Sequence, residues 1–224
     1  MITALLTGAS KGLGFQLLQK LIAIPALKII TIARSNIALH SEQHKHLVID
    51  LSNSNEALSK LSELKIDLQK AEKIIFINNA AQISPIIKMG KADSADLAKH
   101  ISLNYITPVY ISNFLLSVNQ NIDIVNISSG AADKPIAGWA MYCSSKAANK
   151  LFFEVLKSEN EKMNLLQINP GVFDTDMQAE IRSAKAENFP RLNDFITYKE
   201  KNELQTAEVV AKNIVEQMHK TGML

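Results

Sequence analysis

The sequence predicts an α/β fold: a single doubly wound parallel sheet of Rossmann type, with six strands and a seventh missing or rudimentary. Three observations predict it. Short apolar runs alternate with longer amphipathic segments along the whole chain. A Gly-rich turn follows the first apolar run at once. Polar and Gly-rich residues gather just after the apolar runs, where parallel sheets bind their ligands.

The apolar runs cover residues 2–6, 28–33, 46–49, 73–78, 122–127 and 164–168. Each is rich in β-branched residues and nearly continuous in apolarity, as strands buried on both faces should be. Segments of helical period cover 14–24, 56–69, 95–118 and 144–162. Alternation of this kind implies right-handed crossovers between parallel strands. A last helix is expected over 206–219; only Thr221-Gly222-Met223-Leu224 follow it, too few for a full seventh strand. A chain of 224 residues fits one domain with a substantial core.

A net charge of +2 gives no general pull toward nucleic acid or anionic membrane. The first residues are apolar but run straight into the Gly-rich turn, so they read as a strand rather than a signal peptide. No apolar stretch is expected to reach the length that spans a bilayer. One Cys excludes an intrachain disulfide and suits a reducing compartment, so a cytoplasmic protein is expected.

The turn reads Thr7-Gly8-Ala9-Ser10-Lys11-Gly12-Leu13-Gly14. Glycines let the chain turn sharply and let a pyrophosphate approach the backbone, while the helix N-terminus behind favours anions. Such a turn also occurs with no ligand, and its strand–turn–helix setting favours the binding role. The second run ends in Ala33-Arg34-Ser35, with no carboxylate where NAD-binding folds place one for the ribose hydroxyls. Arg34 and Lys11 supply two cations suited to a 2′-phosphate, so NADPH/NADP+ is the expected cofactor. Asp50 and Leu51, after the third run, are candidates to contact the adenine.

Tyr142 and Lys146 stand four apart in a helical segment and so share a face. A nearby ammonium favours the phenolate and lowers the pKa of a phenol, which normally titrates near 10. A tuned tyrosine can then give a proton to a carbonyl oxygen as hydride reaches its carbon. Ser129, just past the fifth run, can hold that oxygen and stabilise its developing charge. Alone, either signal is weak; the Gly turn, Ser129 and the Tyr–Lys pair in this order carry the weight.

With these residues in place the chain resembles the short-chain dehydrogenase/reductase family. The resemblance rests on the TGASKGLG turn, Asn78-Asn79-Ala80-Ala81, Asn104, Ser129, Tyr142 to Lys146 and Pro170 to Met177, which together cover nearly the whole chain. It implies Tyr142 as general acid, Lys146 on the nicotinamide ribose and Ser129 orienting the carbonyl. It implies that Asn104 helps a water chain resupply protons through Lys146. It also implies that Asn79 and Ala80 lie along the cofactor and that the loop Pro170, Gly171, Val172 to Thr175 closes on the nicotinamide. Ala81 stands where the family usually has Gly.

The stretches Gly138-Trp139-Ala140-Met141-Tyr142-Cys143 and Asp174 to Gln178 are similar to the branch of sepiapterin reductases and (S)-benzoin-forming benzil reductases. That likeness implies a small carbonyl substrate that is apolar or a 1,2-dicarbonyl. Trp139, Met141, Phe173 and Met177 are expected as an apolar wall beside Tyr142, with Ser129 and Gly171 completing the substrate pocket. Trp139 and Met141 read equally well as packing residues. Residues 174–203 are expected to form a lid, anchored by Met177, Ile181, Phe189, Leu192 and Phe195. The competing functions are a dehydrogenase of another alcohol, such as a sugar or steroid, and a non-catalytic NADP(H)-binding sensor.

Other reactive residues are expected to be bland. Cys143 is turned about 100° from Tyr142 by the helix and reads as packing. His44 and His46 lack further ligands, so no metal is expected. His40, His100 and His219 are expected at the surface. No nucleic-acid or membrane partner is expected, and a homodimer through the helices at 95–118 and 144–162 is possible.

Overall fold

The structure is a computed structural model that describes residues 1–39 and 41–224. Its centre is a six-stranded parallel sheet built from β1 (Ile2–Thr7), β2 (Lys28–Ala33), β3 (His44–Val48), β4 (Lys73–Asn78), β5 (Ile122–Ile127) and β6 (Leu165–Ile168). The order is β3-β2-β1-β4-β5-β6, the doubly wound order whose reversal lies between β1 and β4. The turn after β1 therefore opens into the crevice at that reversal. No seventh strand joins this sheet among the described residues.

Helices cover both faces. On one side α1 (Gly12–Ile22) and α9 (Ala207–Lys220) pack Leu17, Leu18, Leu21, Ile214 and Met218 against the sheet. On the other lie α2 (Ser54–Ser62), α3 (Lys65–Gln69), α4 (Ser94–Ile101), α5 (Thr107–Val118) and α6 (Ala140–Glu159). The central strands are buried on both faces because each faces a helical layer.

Four differences from the sequence reading have physical causes. β3 is only half-buried, because it is the sheet edge and has neighbours on one side alone. Its polar His44, Lys45 and His46 suit an edge that must not pair further. The helix expected at 56–69 breaks at Glu63–Leu64, and Asn53 caps its first part by accepting from the Glu56 N–H at 3.3 Å. The helix carrying Tyr142 starts at Ala140, four residues early. Its N-cap, Trp139, makes no side-chain capping bond, so the sequence carries no start signal there. Finally, Ser94–Val118 forms one 25-residue helical run of mean hydropathy 1.2, long and apolar enough to cross a membrane by those measures. That corrects the expectation that no stretch reaches this length. Here the run packs on the sheet and buries His100, Asn104, Thr107 and Ser112 inside the protein.

That run is not uniform. A π-helical turn, Ser102–Ile106, separates α4 from α5 and turns Asn104 inward. Such turns recur at functional sites because they re-aim one side chain. A ladder of amides also ties the sheet to α6. Asn78 donates to Asn126 at 2.9 Å, Asn126 to Gln167 at 2.7 Å, and Gln167 to the Lys150 carbonyl at 2.8 Å. These bonds fix α6 over the C-terminal ends of β4, β5 and β6.

Candidate active site

One cavity of about 620 Å³ runs along the C-terminal ends of the strands. At one end lies the Gly-rich turn. Gly8 has φ +71°, and a Cβ there meets Ala80 Cα at 2.9 Å. A Cβ on Gly14 falls 2.1 Å from the Gly8 carbonyl oxygen, so only glycine lets the turn fold onto the helix. Thr7 and Asn79 lace this turn to the end of β4. Thr7 Oγ1 accepts from the Asn79 and Ala80 N–H groups at 3.1 Å, and Asn79 Nδ2 donates to the Thr7 carbonyl at 2.9 Å. The N-cap of α1, Lys11, makes no side-chain capping bond, which leaves the first amides of an 11-residue helix available to an anion.

The cavity brings together the whole expected cofactor set: Gly8, Ser10, Lys11, Gly12, Leu13, Gly14, Arg34, Ser35, Asp50, Leu51, Asn79, Ala80, Lys146, Pro170, Gly171, Val172 and Thr175. The cradle left by the glycines, the uncapped helix end and Arg34 at the rim fit a phosphate-bearing dinucleotide. Lys11 is not idle in this arrangement: its Nζ lies 2.8 Å from Asp176 Oδ2. Both side chains are exposed, so the pair is weak and Lys11 stays available to a phosphate. Asp50 loses some acidity to burial, but bonds from the Ser52 N–H and hydroxyl and the charge of Arg34 hold its carboxyl below the usual range.

At the other end are Ser129, Trp139, Tyr142, Gly171, Phe173 and Met177, the expected substrate set. Tyr142 is buried in the first turn of α6, and Lys146 one turn on is 4% exposed. Burial pushes the phenol up to about 12, against the opposing hydrogen bond of Ser129. Burial pushes the Lys146 ammonium down to about 8. This departs from the expectation that Lys146 lowers the phenol. Lys146 Nζ donates to the Ile127 carbonyl at 2.7 Å and sits 5.8 Å from the Tyr142 ring centre, so desolvation of the phenolate outweighs its field.

An aromatic wall closes this end. Trp139 stacks on Phe189 at 4.9 Å and 10°, and lies 5.5 Å from Phe195 and 5.6 Å, edge-on, from Tyr142. The helices α7 (Asp176–Arg182) and α8 (Leu192–Glu200) line this end through Met177, Ile181, Phe195 and Tyr198. A two-residue parallel pairing of β7 (Phe173–Asp174) with β8 (Gln205–Thr206) ties the chain before α7 to the start of α9. Trp139 thus serves both readings at once: it lines the cavity and packs against Phe189 and Phe195. Met141 does not line the cavity.

Asn104 and His100 stand apart. Asn104 is buried behind Tyr142 and does not line the cavity. Its amide pairs both ways with the Gln82 backbone, accepting at 2.9 Å and donating at 2.9 Å. His100, expected at the surface, is fully buried. Its partners Ser84 and Ser145 are far off in sequence, so no local pattern marks it. His219 is exposed, while His40 lies outside the described residues. His44 Nε2 and His46 Nδ1 both bond Thr31 Oγ1, at 2.7 and 2.8 Å. Cys143 packs against the aromatic cluster, and burial pushes its thiol up.

The profile of the family described as short chain dehydrogenase matches residues 2–186. A benzil reductase ((S)-benzoin forming) of Bacillus subtilis is 33% identical, over 96% of this chain and 93% of its own. A sepiapterin reductase of Xenopus tropicalis is 30% identical, over 96% and 90%. A solved short chain dehydrogenase/reductase of Saccharomyces cerevisiae is 25% identical with TM-score 0.83, covering 93% of this chain and 86% of its own. With its phosphate turn, serine and Tyr–Lys pair on one cavity of the same fold, the chain belongs to the short chain dehydrogenase family and is an oxidoreductase that uses a nicotinamide cofactor.

Proposed function

We propose that the chain is an NADPH-dependent carbonyl reductase of an apolar ketone or 1,2-dicarbonyl compound, with Tyr142 as its proton donor. The observation that carries this reading is the continuity of one cavity from the phosphate turn to a buried tyrosine under an aromatic wall. When bound, the cofactor supplies hydride. The chain's own residues do the rest. A phenol pushed up to about 12 stays protonated at neutral pH, the state a donor needs. The hydroxyl of Ser129 holds the substrate oxygen, which becomes basic enough to take the phenolic proton as charge develops on it. The Lys146 ammonium, buried beneath, offsets the phenolate left behind. Asn104 supports this region from behind. Trp139, Phe173 and Met177, under the 174–203 lid, exclude water and favour an apolar substrate.

The 2′-phosphate preference rests on Arg34, exposed at the cavity rim, and on Lys11 exchanging Asp176 for phosphate. The helix Ser94–Val118 packed on the sheet suits a soluble protein, and the unpaired Cys143 suits the cytoplasm. Exposed Tyr110 on α5 and Leu151 and Val155 on α6 offer a homodimer face. Like the relatives named benzil and sepiapterin reductase, the protein should reduce a carbonyl beside a second carbonyl. The test is NADPH and NADH oxidation with benzil, 1-phenyl-1,2-propanedione and sepiapterin. Turnover of at least one of them with NADPH is expected, and Arg34→Asp should weaken NADPH far more than NADH. No oxidation with any of the three refutes the substrate reading; equal weakening of both cofactors refutes the phosphate role.

A further inference from the structure

His100 is a buried imidazole that the chemistry above does not use, and its surroundings define its state. Nδ1 lies 2.7 Å from the Ser84 carbonyl oxygen, which can only accept, so the proton is on Nδ1. Nε2 is then an acceptor. It lies 3.0 Å from Asn104 Nδ2 and 3.1 Å from Ser145 Oγ. One Asn104 N–H is already committed to the Gln82 carbonyl, so its second N–H is directed at His100. Ser145, with a single hydroxyl proton, sits between His100 Nε2 and the Tyr142 carbonyl, both at 3.1 Å. The imidazole also meets the Tyr142 ring edge-on, with centres 6.5 Å apart.

Three elements therefore converge on one side chain: the loop after β4, the π-turn with Asn104, and the first turn of α6. We propose that His100 is a positioning residue for the Tyr142 chemistry, a neutral imidazole whose Nε2 clamps Asn104 beside Ser145 and so supports the helical turn that carries the phenol. The proposal rests on the reading of Tyr142 as proton donor. Burial and the nearby Lys146 charge both hold the imidazole below its usual pKa, opposed chiefly by its bond to the Ser84 carbonyl, in keeping with the neutral form. A phenol that must meet a carbonyl oxygen within a few tenths of an ångström is sensitive to slack in its supporting turn. A histidine that merely fills space would share none of this dependence on one nitrogen.

The two ring nitrogens can be separated. His100→Gln places an acceptor near Nε2 and gives up the bond to Ser84. His100→Asn keeps a donor near Nδ1 and gives up the clamp. His100→Leu gives up both. With NADPH and whichever carbonyl compound the wild type reduces best, His100→Leu and His100→Asn should lose at least about tenfold in kcat with KM little changed. His100→Gln should stay within about threefold of wild type. Retained kcat in His100→Asn, or rescue by Asn and not Gln, overturns the proposal. So do equal losses in Gln and Asn. If His100→Leu does not fold, the Gln and Asn variants decide alone. If the wild type reduces nothing, the carbonyl reductase reading fails separately, and the clamp is read by NMR instead. The Asn104 side-chain N–H pair, assigned by its disappearance in Asn104→Asp, should exchange slowly in wild type and His100→Gln and fast in His100→Asn. Equal exchange in all three overturns the clamp.

Discussion

Lys146 and Tyr142 are buried one helical turn apart, and burial moves them in opposite directions: the ammonium down to about 8 and the phenol up to about 12. Both shifts favour the neutral form, so the protein meets the reaction holding a protonated phenol. The shifts also make a statement about stability. Below about pH 8 the folded and unfolded chains both carry the Lys146 proton. Between about 8 and 10.5 only the unfolded chain does, so stability rises with pH by up to about 1.4 kcal/mol per unit. Tyr142 acts with the opposite sign but in a higher window, between 10 and about 12. Urea unfolding at about pH 8 and about pH 10 should show the wild type gaining stability relative to Lys146→Met. A difference that stays constant across that window contradicts the burial of a charged lysine. At this scale the sequence was only partly legible. Spacing alone put Tyr142 and Lys146 on one face, because four residues make a helical turn. It could not give the sign of the phenol's shift, which depends on how much water the fold removes. Nor could it place His100, whose burial depends on Ser84 and Ser145.

At the scale of elements, the Gly-rich turn is the tightest joint in the site. A Cβ on Gly14 meets the Gly8 carbonyl oxygen at 2.1 Å and Asn79 Nδ2 at 2.6 Å, and the first is backbone that cannot swing aside. Gly14→Ala should therefore open the turn, lowering unfolding free energy by about 1–3 kcal/mol. The NADPH dissociation constant, followed by fluorescence titration, should rise at least about tenfold. An unchanged dissociation constant contradicts the cradle. Elements of this kind were legible because glycine spacing and continuous β-branched runs are local signals: the bounds of β2, β4 and β5 fell where expected. Two of the misread boundaries lacked such signals. The first turn of α6 has no capping side chain, and the π-turn at Ser102–Ile106 differs from an α-helix only in its bonds.

At the scale of the molecule, the sheet order brings widely separated stretches of chain to one cavity. All the residues expected on the cofactor line it, with Ser129, Trp139, Tyr142, Gly171, Phe173 and Met177 of those expected on the substrate, most of them because they follow strands that point the same way. Asn104 and Met141 are the exceptions: Asn104 is buried in the π-helical turn and Met141 does not line the cavity. The helical character of α7 and α8 was legible in their period, but the stacking of Phe189 on Trp139 is a tertiary fact. Tyr142, at the aromatic end of that cavity, is the proposed proton donor. Tyr142→Phe keeps the ring and its edge contact with Trp139 and removes only the hydroxyl. Wild type and Tyr142→Phe should bind NADPH alike, while kcat for the best carbonyl substrate falls at least about 100-fold in the variant. A variant that reduces the substrate within about twofold of wild type would contradict the account.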